Sequence, residues 1–150
     1  MLLNVEPNNE KTLLGFFNIT LTYPYLLRKP MLMLSIILVS LVAIEHVYIL
    51  IMEMFLWTKP RTLKVFGLEQ EFAEQTKSMA ANQGLYNGFL AAGLAFGLLH
   101  TNNEFGLQLQ MFFLTCVLIA AVYGGLTVKR SILFVQGVPA FLALLSLQFI

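Results

Sequence analysis

The chain has 150 residues, 58% of them hydrophobic and only 11% charged, with a formal net charge of +1 and a mean hydropathy of +0.77. Soluble domains carry about 25% charged residues, so this is the composition of an integral membrane protein, long enough for one domain and with no basic excess for nucleic acid. Aspartate is absent, which excludes any chemistry that requires one.

Residues 1–30 differ from the rest. They hold Glu6, Pro7, Asn8, Asn9, Glu10 and Lys11, then an apolar stretch from Leu13 to Leu27 that is short for a span and whose helix is expected to break at Tyr23-Pro24. The early acidic residues argue against a cleavable signal peptide. The lead is expected to be interfacial or disordered. With Met31 and Met33 at the start of the first span, it reads as an extension of a shorter protein.

Residues 31–150 are predicted to form an all-α integral membrane protein, a four-transmembrane-helix bundle with a short amphipathic cytoplasmic loop helix. The first span covers about 31–57. Arg28 and Lys29 flank one end; Trp57, an interfacial anchor, and Lys59 and Arg61 flank the other, and Pro60 ends the helix. In the loop 58–81, Leu68, Phe72, Gln75 and Met79 recur at helical spacing among Glu69, Glu71, Glu74 and Lys77. That spacing predicts a short helix lying on the membrane. The second span is predicted over 82–100, with Asn82 as a candidate N-cap. The third covers 107–128. The fourth covers 131–150 and contains Pro139, which a bundle tolerates as a kink.

The basic residues set an orientation. Lys59, Arg61, Lys64, Lys77, Lys129 and Arg130 fall on one side, and Lys11, Arg28 and Lys29 on the other. The positive-inside rule then places loop 58–81 in the cytoplasm and both termini outside, in a multi-pass protein of the plasma membrane.

The first span carries three ionisable groups, Glu45, His46 and Glu53. Such groups inside a span are costly and commonly mark function. His46, Leu50, Glu53 and Trp57 share one stripe, at i, i+4, i+7 and i+11, whereas Glu45 points about 100° away from His46. Glu53 sits about 6 Å below the cytoplasmic end of its helix. Asn82, Gln83, Tyr86 and Asn87 cover roughly the first 8 Å of the second span, and Tyr123 and Gln136 lie about 7 Å deep in the third and fourth. These positions define a candidate polar pocket in the cytoplasmic half. A carboxyl at that depth needs hydrogen-bond donors, and Asn87, Tyr86 or Tyr123 could supply them. The bland readings are that Tyr86 and Tyr123 are interfacial aromatics and that Gln136 makes a structural interhelical bond.

No metal site or cofactor is expected. His46 lies about 10 Å from Glu53 along the helix, too far for one ion to bind both. His100 is expected to be solvated at the outer interface, and the single Cys116 to be structural. Gly84 and Gly88, with Gly124 and Gly125, form small-residue strips that suit close helix packing, and could also serve a homo-oligomer.

The stretches AIEHVYILIMEMFLWTKPRTLKVFGL, NQGLYNGFLAAGL and AAVYGGLTVKRSILFVQGVPAFLALL resemble the small bacterial membrane proteins of the domain of unknown function 1304 family. The resemblance covers roughly residues 33–148 and implies a four-span membrane protein shorter than this chain. It implies no reaction. The positions matching the family's polar motifs are Glu45, His46, Glu53, Trp57, Asn82, Gln83, Tyr86, Asn87 and Tyr123.

Three functions fit these residues. In the first, the pocket binds or transforms a small amphiphilic ligand from the bilayer. Glu53, His46 and Glu45 act as acid–base groups, and Trp57, Asn82, Gln83, Tyr86, Asn87, Tyr123 and Gln136 line the site. In the second, the protein is a small oligomeric transporter of protons or a solute. In the third, it is a structural or partner-binding membrane protein whose polar layer sets helix register.

Overall fold

A computed structural model describes the backbone of residues 7–150 and the side chains of residues 28–150. Residues 1–6, and the side chains through Leu27, lie outside the described residues; from Pro7 the backbone of the lead is helical and continuous with the first span in one helix, which runs on through Pro24 rather than breaking there. From Pro7 onward the described chain is helical, with no strand. The helices are α1 (Pro7–Met54), α2 (Pro60–Phe66), α3 (Gln70–Leu99), α4 (Asn103–Thr127), α5 (Arg130–Ile132) and α6 (Val138–Leu147). A π-helical segment, Leu133–Gly137, joins α5 to α6. Three stretches are long and apolar enough to cross a membrane: Arg28–Met54, Asn103–Thr127 and Arg130–Leu147.

α1, α3, α4 and α6 pack around a common core. Each touches the next in that order, and α6 closes against α1. Val39, Val42 and Ala43 of α1, Leu94 of α3, Leu114 and Val117 of α4, and Ala140, Ala143 and Leu147 of α6 fill the centre. Small residues let the backbones come close. Gly84 lies against α1, where a methyl group would sit 3.0 Å from Met54 N and 3.1 Å from Leu50 O. At the far end of α3, Gly97 meets Gly106 and Gln110 of α4, and the Gln110 amide donates to Gly97 O at 3.1 Å. Gly124 and Gly125 pack on Ile132 and Leu133. All four glycines singled out in the sequence therefore make close contacts within the chain.

The first helix ends at Met54, short of Trp57, and the loop and second span are also divided differently from the expectation. The amphipathic stretch Leu68–Met79 is not a separate surface helix. From Gln70 it runs unbroken into the second span as the 30-residue α3. Nothing between Gln70 and Asn82 stops a helix, since neither proline nor glycine occurs there and Ala80-Ala81 favours one. Asn82 consequently lies inside α3 rather than at its N-cap. The separate loop helix is α2 instead, opened by Pro60 and closed by Gly67 at φ 71°. That left-handed conformation suits glycine, and it lets the amides of Gly67 and Leu68 both reach Leu63 O, at 2.7 and 2.9 Å.

Pro139 causes no sharp break. The Val138 amide reaches back five residues to Leu133 O, and the widened turn accommodates the ring of a residue that has no N–H to offer.

We call the end bearing the α1–α2 and α4–α5 turns, with Lys59, Arg61, Lys64, Lys129 and Arg130, the basic end.

Candidate functional site

The site is built on α1. Ser35, Val39, Val42, His46 and Glu53 recur at helical spacing and are all buried. Glu53, 8% exposed, points at α3 near its closest approach, where Gly84 lies against Glu53 Cβ. Asn87, 9% exposed, sits one turn further along α3. Its Nδ2 donates to Glu53 Oε2 at 2.9 Å and to Gln83 O at 3.1 Å. This is the direct hydrogen bond that the structure makes among the candidate site side chains. It joins residues 34 apart in sequence.

His46 is 1% exposed. Its Nδ1 lies 2.8 Å from Val42 O. A carbonyl oxygen only accepts, so Nδ1 carries the hydrogen and Nε2 keeps its lone pair. Glu45 faces a different side of α1. Its Oε1 is the one buried side-chain polar atom among the described residues with no hydrogen-bond partner. A group in that state is costly in an apolar setting.

The other expected pocket residues lie elsewhere. Tyr86 and Tyr123, 56% and 71% exposed, make no hydrogen bond to the Glu53–Asn87 pair, and Asn82 and Gln83 are also exposed. Gln136 is half-buried in the π-helical segment. Trp57 is half-buried at the basic end, where its Nε1 donates to Thr76 Oγ1 at 3.1 Å and its ring meets Phe66 edge-on, 5.0 Å between centroids. His100 is half-buried, wedged between Phe96 and Phe105 at 5.2 and 4.8 Å. No group of three or more His, Cys or Glu side chains among the described residues could hold a metal ion.

The seam between α3 and α4 has two different halves. Met79, Gln83, Tyr86, Leu90, Gly93 and Gly97 form one stripe of α3, and Gly106, Gln110, Phe113, Val117 and Ala120 form the facing stripe of α4. Away from the basic end the stripes interlock: Gly93 lies against Phe113, and Gly97 against Gly106. Leu90 is partly buried and Val117 fully. Beyond them, toward the basic end, Ala120 on one side and Tyr86, Gln83 and Met79 on the other are all exposed. The seam is open there. Its α3 bank carries Gln83 and Tyr86, with Asn87 and Glu53 behind them.

Sequence reasoning missed Ser35, Thr76 and the buried Thr62 and Ser146. Ser35 had a signal, because it lies eleven residues before His46 on the same stripe. Thr76 had none beyond the need of the Trp57 N–H for an acceptor.

Fold and site together define a helical bundle with three membrane-length apolar stretches and a buried carboxyl–amide pair between two of its helices. The chain belongs to the family described as protein of unknown function (DUF1304), whose model matches residues 40–148. It is 35% identical over 118 residues to the uncharacterized protein YpaA of Lactococcus lactis subsp. lactis (strain IL1403), a match covering 77% of this chain and 98% of that protein. No solved structure matches it.

Proposed function

We propose that the protein is a four-span membrane protein that binds a small amphiphilic ligand from the leaflet at its basic end, with Glu53 as the central polar group of the site. The observation that carries this reading is that the α3 and α4 stripes are exposed rather than interlocked toward the basic end, with the Glu53–Asn87 pair, 8% and 9% exposed, on the neighbouring face of α3. An amphiphile entering there would lay its chain between Ala120 and Tyr86 and bring its polar end to Glu53. Ligand sites of this kind combine apolar walls with a few placed polar groups. His46 and Glu45 lie deeper on α1 and are the candidates for proton transfer, should the ligand be transformed as well as bound.

The fourth span in this reading is the latter part of α3. It starts beside Met54, at the C-terminal end of α1, and finishes beside Gly106, at the N-terminal end of α4. A chain that crosses in α1 and again in α4 returns through α3. Placing the basic end in the cytoplasm at the plasma membrane follows from the positive-inside rule.

The test is native mass spectrometry of wild type and Glu53→Gln released from mild detergent. A discrete co-purifying mass is expected in the wild type and is expected to be missing in the variant. Equal, nonspecific lipid in both, with the variant merely less stable, would leave the site a structural one.

A further inference from the structure

We infer that the amphiphile taken at the Glu53–Asn87 site carries a primary ammonium headgroup, an inference that rests on the ligand-binding reading above. It comes from accounting for every donor and acceptor at the site.

Asn87 has two side-chain N–H groups, and its amide nitrogen makes two bonds, one to Glu53 Oε2 and one to Gln83 O. The amide therefore has no donor left. With Glu53 ionised, what remains is Asn87 Oδ1 and Glu53 Oε1, both acceptors. Neither has a partner among the described residues, and Glu53 and Asn87 keep 8% and 9% of their surface exposed. About 10 Å deeper along α1, beyond the reach of the same headgroup, His46 carries a lone pair at Nε2, since its Nδ1–H is held by Val42 O.

No cationic side chain offsets these acceptors from within the spans. No Lys or Arg occurs between Lys29 and Lys59, or between Lys77 and Lys129. A carboxylate or phosphate headgroup would meet acceptors only. A phospholipid amine would bring its own phosphate against the same oxygens. A simple primary ammonium brings three donors and the complementary charge. The exposed ring of Tyr86, at the lip of the opening, offers a cation a further favourable face.

The experiment uses the full chain in micelles of a neutral detergent, titrated with dodecylamine, 1-dodecanol and lauric acid, with bound adducts counted by native mass spectrometry. The three probes share a chain length and differ in headgroup. Dodecylamine is expected to bind at one per chain, about tenfold more tightly than dodecanol, and lauric acid more weakly than either. Glu53→Gln is expected to bring the amine down to the level of the alcohol. If that variant does not fold, the wild-type ranking decides, together with Asn87→Asp, whose added carboxyl should widen the preference for the amine. Equal binding of the three probes, or a preference for lauric acid, overturns the headgroup inference. In that event the site itself stands if Ala120→Trp, which fills the opening, blocks the binding. Absence of saturable binding by any probe overturns the headgroup inference and the ligand-binding reading together.

Discussion

The two halves of the α3–α4 seam are made from similar material and end differently. In the half away from the basic end, Gly93, Gly97 and Gly106 bring the helices into contact, and Gln110 ties its amide to Gly97 O. In the basic half, α3 still carries glycines, but Gly84 and Gly88 are turned toward Leu50 and Glu53 of α1. The α4-facing stripe there holds Gln83 and Tyr86 instead, and the seam is open. Small residues close a helix pair only on the face that bears them. Turning the small face from α4 to α1 along a single helix is enough to seal one half and leave the other accessible.

The sharpest way to break this contrast is Gly106→Ala. The added methyl would lie 2.6 Å from Gly97 O, a backbone atom that cannot rotate away. A loss of about 2–3 kcal/mol is expected in unfolding measured in detergent. An unchanged stability would show that the closed half is not close-packed.

A smaller effect tests the site end. Asn87→Leu leaves Glu53 Oε2 buried without its donor and is expected to cost about 1–2 kcal/mol. Glu53→Gln in the same background should recover part of that loss, because a neutral amide is less costly to bury than a carboxylate. Failure to recover any would mean that the pair is not coupled.

The smallest effect is the most telling for the opening. Ala120→Leu adds bulk where the seam is open and should change stability by no more than about 0.5 kcal/mol. A penalty comparable to that of Gly106→Ala would mean that the helices meet at Ala120 after all.

Much of this could be read from the residues. Long apolar runs and the flanking basic residues locate the spans to within a few positions, and helical spacing puts His46 and Glu53 on one stripe. Depth arithmetic correctly brings Asn87 to the level of Glu53. The same arithmetic also brings Tyr86 and Tyr123 to that level, yet both are exposed and neither bonds to the pair. Depth is set by rise per residue, whereas facing depends on which neighbour each stripe meets, and a single helix carries no record of that. The start of α3 at Gln70 differs from the expected 82 for a related reason. Leu68 to Met79 is amphipathic, and amphipathicity suits equally a helix on the membrane surface and the first turns of a longer helix.

The sequence by itself determined that this is an all-helical, membrane-compatible chain with three ionisable groups in its first span and one basic end, because composition and periodicity are properties of the chain alone. Only the tertiary structure decided that Glu53 pairs with Asn87, that the glycines are used within the chain, and that the α3–α4 seam stands open at the basic end. Each of those depends on the rotation and approach of two helices far apart in sequence, which are settled when their surfaces pack together.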